Sequence, residues 1–197
     1  MKRANLLLPA ALAITASPAM AHTAAGSLSG FMAGFSHPIG GLDHLLAMVA
    51  VGILAAQLRG RALWVVPGAF VGMMVVGALL GSVLGVGIPF VEQGVVGSVI
   101  ILGAVIAVGR RLPMALAVTL VGVLALFHGH AHGTEMPLNA SGLAYGTGFT
   151  AATILLHAIG IGMGMGAQAA SDKLAPAAVR IGGAAIAGAG LALGLAY

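Results

Sequence analysis

Most of the side chains in this sequence that could do chemistry are histidines. Five of the seven histidines lie in two short motifs, and a sixth lies in a later apolar segment. The first motif spans residues 37–44 (HPIGGLDH), and the second spans residues 128–135 (HGHAHGTE). Imidazole and carboxylate groups without thiolates suit Ni, Co, Zn or Cu(II). The two motifs therefore indicate the binding of a divalent transition metal.

The first motif predicts a metal-binding edge at the start of a helix. Proline is tolerated in the first helical turn, so Pro38 would place His37 at the N-terminal edge of the helix and His44 two turns later. At 3.6 residues per turn the two histidines fall on nearly the same face, whereas Asp43 points about 100° away from His44. Asp43 either binds the metal itself or orients an imidazole.

The second motif suits a metal in two alternative conformations. If the preceding helix continues, His128 and His132 share one face; if the chain is extended, His128, His130 and His132 all point to one side. Glu135 adds a carboxylate beside them. His157 lies alone in a later apolar segment, either as a buried histidine bonded to a carbonyl or as a deeper metal position.

The composition places these motifs in a lipid bilayer. Of the 197 residues 60% are hydrophobic and 6% are charged, whereas a soluble domain has about 25% charged residues. The sequence contains no cysteine, which excludes thiolate metal sites and cysteine nucleophiles. The net charge of +4 comes from scattered Lys and Arg. Because there is neither a basic patch nor a GxxxxGK[ST] motif, nucleic acid and nucleotide are excluded as partners.

Residues 1–21 have the features of a cleaved signal peptide. A basic start (MKR) precedes a short apolar stretch at residues 6–15, and residues 19–21 (AMA) match a small-x-small cleavage site. Cleavage after Ala21 would make His22 the mature N-terminus. Its α-amine and imidazole could then chelate one metal ion together.

Residues 22–197 are predicted to form one all-α integral membrane domain with six transmembrane helices. A helix needs about 20 apolar residues to cross the hydrocarbon core. The predicted spans are 40–58, 63–84, 91–108, 113–127, 143–167 and 175–197. Residues 128–139 are predicted to form the connection after the fourth span.

The cations predict the orientation of these helices, because Lys and Arg are retained on the cytoplasmic side. The first, third and fifth connections hold or adjoin Arg59, Arg61, Arg110, Arg111, Lys173 and Arg180. The other connections carry Glu92, Glu135 and most of the histidines. We therefore expect a multi-pass protein of the inner or plasma membrane, with both mature termini on the periplasmic or extracellular side.

Together these features resemble the HupE/UreJ family. The resemblance rests on the cleavage site at Ala21-His22, residues 37–44 with 48–52, residues 127–135, and Leu156-His157. Members of that family are regarded as secondary nickel permeases and are commonly encoded beside nickel-dependent hydrogenases or ureases.

The resemblance implies a permease rather than an enzyme, with no prosthetic group. The transported ion would be Ni²⁺, with Co²⁺, Zn²⁺ and Cu²⁺ as the other ions that the ligand chemistry admits, and a functional link to nickel-enzyme maturation would follow. The leading nickel-binding positions would be His37, Asp43 and His44, accompanied by His128, His132 and Glu135.

Two other classes of protein use some of the same residues. A membrane metallochaperone or assembly factor for a nickel hydrogenase or urease would hold metal without transporting it. An intramembrane hydrolase would need a paired serine and histidine, for which Ser98 and His157 are candidates, but the sequence has no GxSG or HExxH pattern.

Overall fold

A computed structural model of the protein describes residues 30–136 and 141–196. These residues form seven α-helices and no strand, which confirms the predicted all-helical fold for this part of the chain. The helices are α1 (Gly30–Gly40), α2 (Leu42–Leu58), α3 (Ala62–Ser82), α4 (Val91–Val108), α5 (Met114–Thr134), α6 (Gly142–Ala170) and α7 (Ala175–Gly194). The predicted signal peptide, its cleavage site and His22 lie outside the described residues.

Five helices, α3 to α7, are long and apolar enough to cross a membrane, and α1 with α2 makes a sixth candidate. The axes of α1 and α2 are bent by 81°, so this pair is a broken span or a re-entrant segment. The bent pair replaces the single straight span predicted at residues 40–58. The described residues therefore contain five or six candidate membrane spans, as in a multi-pass membrane protein.

The break at Gly41 corrects the predicted geometry of the first histidine motif. His37 and Pro38 lie in the last turn of α1 rather than at the start of a helix, and His44 lies in the first turn of α2. Gly41 is extended, with φ −94° and ψ 117°, and glycine is costly to hold in a helix because its backbone loses much entropy there. The two histidines therefore meet across a bend and not along one helix.

The second histidine motif belongs to a helix and not to the connection predicted at residues 128–139. α5 continues to Thr134, which selects the helical alternative. A side chain at Gly129 would collide with the carbonyl group of Met74, and one at Gly133 would collide with that of Ala78. These glycines allow α5 to pack closely on α3. Continued helix also satisfies the backbone hydrogen bonds internally, as burial in a membrane bundle requires.

Helix α2 lies at the centre of the bundle. Residues 47–56 are buried, and α3, α4 and α6 pack around them. α2 crosses α6 at Gly52 and Gly160, where a side chain on either glycine would collide with the backbone of the other helix. Small residues stabilise helix pairs in lipid because they permit this close approach. Around this core α5 packs on α3, α7 on α4, and α1 on α6.

The bundle has two chemically different ends. Arg59, Arg111 and Arg180 line one cavity where α2, α4 and α6 end and α7 begins. Both histidine motifs lie at the opposite end, where α2 begins and α5 ends. The cations and the histidines are thus separated along the bundle axis.

Candidate metal-binding site

Four imidazole rings and two carboxylates come together where α1, α2 and α5 meet. The ring centroid of His132 lies 4.6 Å from that of His37 and 4.5 Å from that of His44. The ring centroids of His44 and His128 are 4.8 Å apart. We call this set the histidine cluster, and it consists of His37, Asp43, His44, His128, His132 and Glu135.

Asp43 orients the ring of His44. Asp43 Oδ1 lies 2.8 Å from His44 Nδ1 and accepts the backbone N–H of His44 at 2.7 Å. A carboxylate can only accept, so His44 Nδ1 carries the proton and donates it. In the neutral ring the lone pair is then on His44 Nε2, and this buried atom has no hydrogen-bond partner among the described residues. Of the two roles that the sequence left open for Asp43, the geometry favours the orienting one.

Ser98 on α4 orients the ring of His128. Ser98 Oγ donates to the carbonyl oxygen of Val95 at 2.6 Å and lies 2.8 Å from His128 Nε2. A hydroxyl has one proton to give, so Ser98 accepts a hydrogen bond from the N–H of His128 Nε2. The lone pair of His128 is then on Nδ1, a buried atom with no partner in residues 30–136 and 141–196.

The contact between Ser98 and His128 does not have the geometry of a nucleophile and its base. A serine nucleophile gives its proton to the histidine, and a third group orients that histidine. Here the serine proton goes to Val95, and the nearby carboxylate of Asp43 is bonded to His44 instead. Ser98 and His128 are also fully buried. This arrangement does not favour a hydrolase.

His132 lies in the middle of the histidine cluster, and both nitrogens of its ring lack a hydrogen-bond partner, whereas His44 and His128 each have one such nitrogen among the described residues. It is 1% exposed, and neither of its ring nitrogens has a hydrogen-bond partner in the described part of the chain. Its ring packs against Phe149 of α6, with 3.6 Å between the ring centroids. An unsatisfied buried polar atom costs about 1–3 kcal/mol. A ligand that binds these nitrogens would remove that cost.

Glu135 forms the solvent-facing rim of the cluster. Its Oε2 lies 3.3 Å from His37 Nε2, and its side chain is 43% exposed. The hydrogen bond from His37 lowers the pKa of Glu135 below the usual value for a glutamate, against the opposing effect of partial burial. Glu135 therefore presents a negative charge to water at neutral pH.

The histidine cluster contains groups that are able to bind a metal, but they do not form a preformed coordination shell. In the described ranges, 30–136 and 141–196, no three His, Asp or Glu side chains are arranged so that they could hold one metal ion. The rings instead contact one another edge to face. An ion could be coordinated only after some of these rings had rotated.

His130, which the sequence places among the metal ligands, lies apart from the cluster. Its Nε2 is 2.8 Å from the carbonyl oxygen of Val86 and 3.2 Å from the backbone nitrogen of Ile88. One nitrogen cannot donate to the first and accept from the second at the same time. In either state His130 binds the loop between α3 and α4.

His157 lies deeper in the bundle and is also separate from the cluster. It is 2% exposed, and neither ring nitrogen has a partner among the described residues. The carbonyl bond considered from the sequence is therefore not made there. The ring of Phe70 lies 5.1 Å from that of His157 and 5.5 Å from that of His128, between centroids. Phe70 thus contacts both the cluster and the deeper histidine.

Three contributors to this region were not predicted from the sequence as part of a metal site: Ser98, Phe70 and Phe149. Ser98 is 30 residues from His128 in the chain, and a lone serine or phenylalanine in an apolar helix carries no pattern. Only the packing of α3, α4 and α6 around the cluster brings them together with the histidines.

The comparisons with known proteins agree with the resemblance seen in the motifs. A family model described as HupE / UreJ protein matches residues 10–193. The protein named Protein HupE from Rhizobium leguminosarum bv. viciae is 43% identical over 183 residues, which cover 92% of this chain and 94% of the relative. No solved structure matches the chain. Since the family match includes both histidine motifs and nearly the whole bundle, the chain belongs to the HupE/UreJ family.

Proposed function

We propose that this protein is a secondary permease that carries a divalent transition-metal ion into the cytoplasm, and that its preferred ion is Ni²⁺. The observation that carries the proposal is the histidine cluster: buried imidazole nitrogens without partners, at one end of an apolar membrane bundle. Ionisable side chains in a membrane segment are costly and most often mark an ion pathway.

Entry would begin at the rim of the histidine cluster. Glu135 offers a negative charge to water, and His37 stands beside it with partial exposure. A hydrated dication would be attracted there and would begin to exchange its water molecules for protein ligands. His44, His128 and His132 follow as nitrogen donors in the buried part of the cluster.

Passage beyond the cluster would lead past Phe70 to His157. Phe149 packs against His132, and His157 lies eight residues further along α6, which corresponds to about 12 Å at 1.5 Å per residue. Two separate positions for the ion suit transport better than one tight site, because an ion held too strongly is not released. The side chains of the cluster are not arranged around one point, which also fits a moderate affinity for the ion.

The direction of transport is proposed from the charges at the two ends of the bundle. Arg59, Arg111 and Arg180 mark the cytoplasmic end if the positive-inside rule holds, and the histidine cluster then faces the exterior. A membrane potential of about 100 mV, negative inside, favours entry of a dication by about 4.6 kcal/mol, from about 2.3 kcal/mol per charge. No nucleotide is needed for accumulation under this gradient.

The identity of the ion is proposed from ligand chemistry and family membership together. Imidazole and carboxylate donors suit Ni²⁺, Co²⁺, Zn²⁺ and Cu²⁺. Nickel transport is what the HupE/UreJ resemblance implies, and it would supply a nickel hydrogenase or urease. A metallochaperone without transport would use the same side chains.

Flux measurements in sealed vesicles that contain only this protein test the proposal. We expect Ni²⁺ to enter such vesicles faster than Zn²⁺, Mn²⁺ or Cu²⁺ at equal concentrations, with Co²⁺ as the nearest competitor. Binding of Ni²⁺ to the protein without entry into the vesicle lumen would contradict transport and favour the metallochaperone. Entry of Mn²⁺ in preference to Ni²⁺ would contradict the ligand assignment.

A further inference from the structure

We infer that the arginine end of the bundle carries a binding site for a phosphate group, presented by the headgroup of an anionic phospholipid or by free phosphate. The site is a cavity of about 230 Å³ between the last turns of α2, α4 and α6 and the first turns of α7. We call it the arginine cavity. Its polar lining consists of Gln57, Arg59, Arg111, Gln168, Asp172 and Arg180.

Three segments that are distant in the sequence each supply one guanidinium group to the arginine cavity. Arg59 comes from the connection after α2, Arg111 from the connection after α4, and Arg180 from α7. With the single carboxylate of Asp172 the lining has a net charge of +2. None of the three arginines forms an ion pair in the described part of the chain, where His37 pairs with Glu135 and His44 pairs with Asp43.

The backbone at Arg59 is held in an unusual conformation. Its φ of 65° and ψ of 178° lie in a region that glycine occupies easily and other residues avoid. The next residue, Gly60, also has a positive φ, of 56°. Strain of this kind is concentrated at functional sites, and here it falls on a residue that lines the cavity.

The side chain of Arg180 is bonded to the last turn of α4. Its Nε donates to the carbonyl oxygen of Ala107 at 2.8 Å. Its aliphatic stem lies over Gly109, where an added Cβ would be 3.0 Å from Arg180 Cδ. Because Nε is already used, the two terminal amino groups of Arg180 are the donors left for a ligand.

The ligand chemistry follows from the guanidinium groups and from the size of the cavity. A guanidinium presents its N–H groups as a planar fork that fits two oxygens of a phosphate. The volume is below the range of about 300–1,000 Å³ typical of sites for drug-sized ligands, so a single phosphate group fits better than a large metabolite. Basic pockets between transmembrane helices at the cytoplasmic end are known to bind phospholipid headgroups.

Two neighbouring arginines provide matched controls. Arg61 and Arg110 lie on the same connections as Arg59 and Arg111 but do not line the cavity. If the arginines served only to orient the protein in the membrane, replacement of either member of a pair would have the same effect. If the cavity binds phosphate, only replacement of the arginine that lines the cavity should weaken phosphate binding.

The test measures thermal stabilisation of the purified full-length protein in detergent by three probes: dioleoylphosphatidylglycerol, inorganic phosphate, and dioleoylglycerol, which has no phosphate. We expect dioleoylglycerol to have no effect. Arg111→Ala should weaken the apparent affinity for the stabilising probe about tenfold, which equals about 1.4 kcal/mol, while Arg110→Ala should change it by less than about twofold. Arg111→Lys, which keeps the charge but loses the fork, should fall between them.

The two phosphate sources give different results, and both support the site. Stabilisation by phosphatidylglycerol but not by inorganic phosphate identifies a lipid headgroup, and stabilisation by both, with competition, identifies the phosphate group itself. Equal effects of Arg111→Ala and Arg110→Ala, or no response to either phosphate probe, would overturn the proposal. If Arg111→Ala does not fold, the pair Arg59→Ala and Arg61→Ala gives the same comparison. Metal transport is not a readout, so the result is independent of the proposed function.

Discussion

Ser98 Oγ lies 2.8 Å from His128 Nε2 while it donates its own proton to Val95. This relationship leaves His128 with one tautomer, in which Nε2 carries the proton and Nδ1 carries the lone pair. Asp43 does the converse for the neutral ring of His44, whose Nδ1 donates to the carboxylate and whose Nε2 then carries the lone pair. The two neighbouring rings are thus set by different partners, and each keeps one buried nitrogen available to a metal ion.

Ser98→Ala should weaken Ni²⁺ binding because His128 would no longer be held in this tautomer. Loss of such an orienting partner lowers metal affinity by about 10- to 100-fold, and we expect the lower end of that range. Ser98→Thr, which keeps the hydroxyl, should recover part of the affinity. Ser82→Ala is the matched control, since Ser82 Oγ also donates to a backbone carbonyl but has no hydrogen bond with a histidine of the described ranges. Equal Ni²⁺ affinities for Ser98→Ala and Ser82→Ala, by isothermal titration, would refute the orienting role.

Asp43→Asn and His44→Ala should each abolish Ni²⁺ uptake while the protein still inserts in the membrane. The neutral amide of asparagine accepts a weaker hydrogen bond than a carboxylate does and carries no negative charge, so the ring of His44 is held less firmly. The measurement is uptake by cells at matched amounts of membrane-inserted protein. Asp172→Asn is the control, because this exposed carboxylate lies at the arginine end. Normal uptake by both cluster variants would show that the metal follows another route.

His130 and His132 should differ sharply although they are two residues apart. His132→Ala removes the central ring of the cluster and should abolish high-affinity Ni²⁺ binding. His130→Gln keeps a donor near the carbonyl of Val86 and should cost well under the roughly 10-fold loss that follows removal of an orienting partner, because His130 lies apart from the cluster. Loss of affinity on His130→Gln in a folded protein would return His130 to the set of ligands.

Uptake should decline as the external pH falls from about 7.5 to about 5.5, because only neutral imidazole binds metal and its ordinary pKa is about 6.5. Glu135 does not contribute to this decline. The hydrogen bond from His37 lowers the pKa of Glu135, so the contact is present above the usual glutamate value and is lost only as the pH falls through the lowered one. Initial rates of Ni²⁺ entry at constant potential give the profile. A rate that rises toward acid pH would indicate proton symport instead.

The sequence predicted that the histidines of the first motif lie close together, but it did not predict the backbone geometry that brings them there. His37 and His44 were expected together on one straight helix, and their ring centroids are indeed 6.0 Å apart. They meet, however, across the bend at Gly41, because the local pattern of Pro38 and the apolar run does not reveal an 81° change of direction. Long-range packing of α1 on α6 accompanies that bend.

The second motif shows how context selects between alternatives that local spacing leaves open. An extended chain would have put His130 beside His128 and His132, but α5 remains helical where Gly129 and Gly133 pack on α3. His130 is then turned toward Val86. The role of Ser98 depends on contact between α4 and α5, which no motif within either helix encodes.

The central claim, inward movement of a dication, is tested most directly by Ni²⁺ accumulation in sealed vesicles that contain only this protein under an inside-negative potential. The vesicles should hold the protein with the histidine cluster facing outward, and orientation can be checked by protease access. We predict that lumenal Ni²⁺ rises above the external concentration, and that it falls to the external level when an ionophore collapses the potential. Vesicle-associated Ni²⁺ that saturates in fixed proportion to the protein and does not respond to the potential would contradict the account.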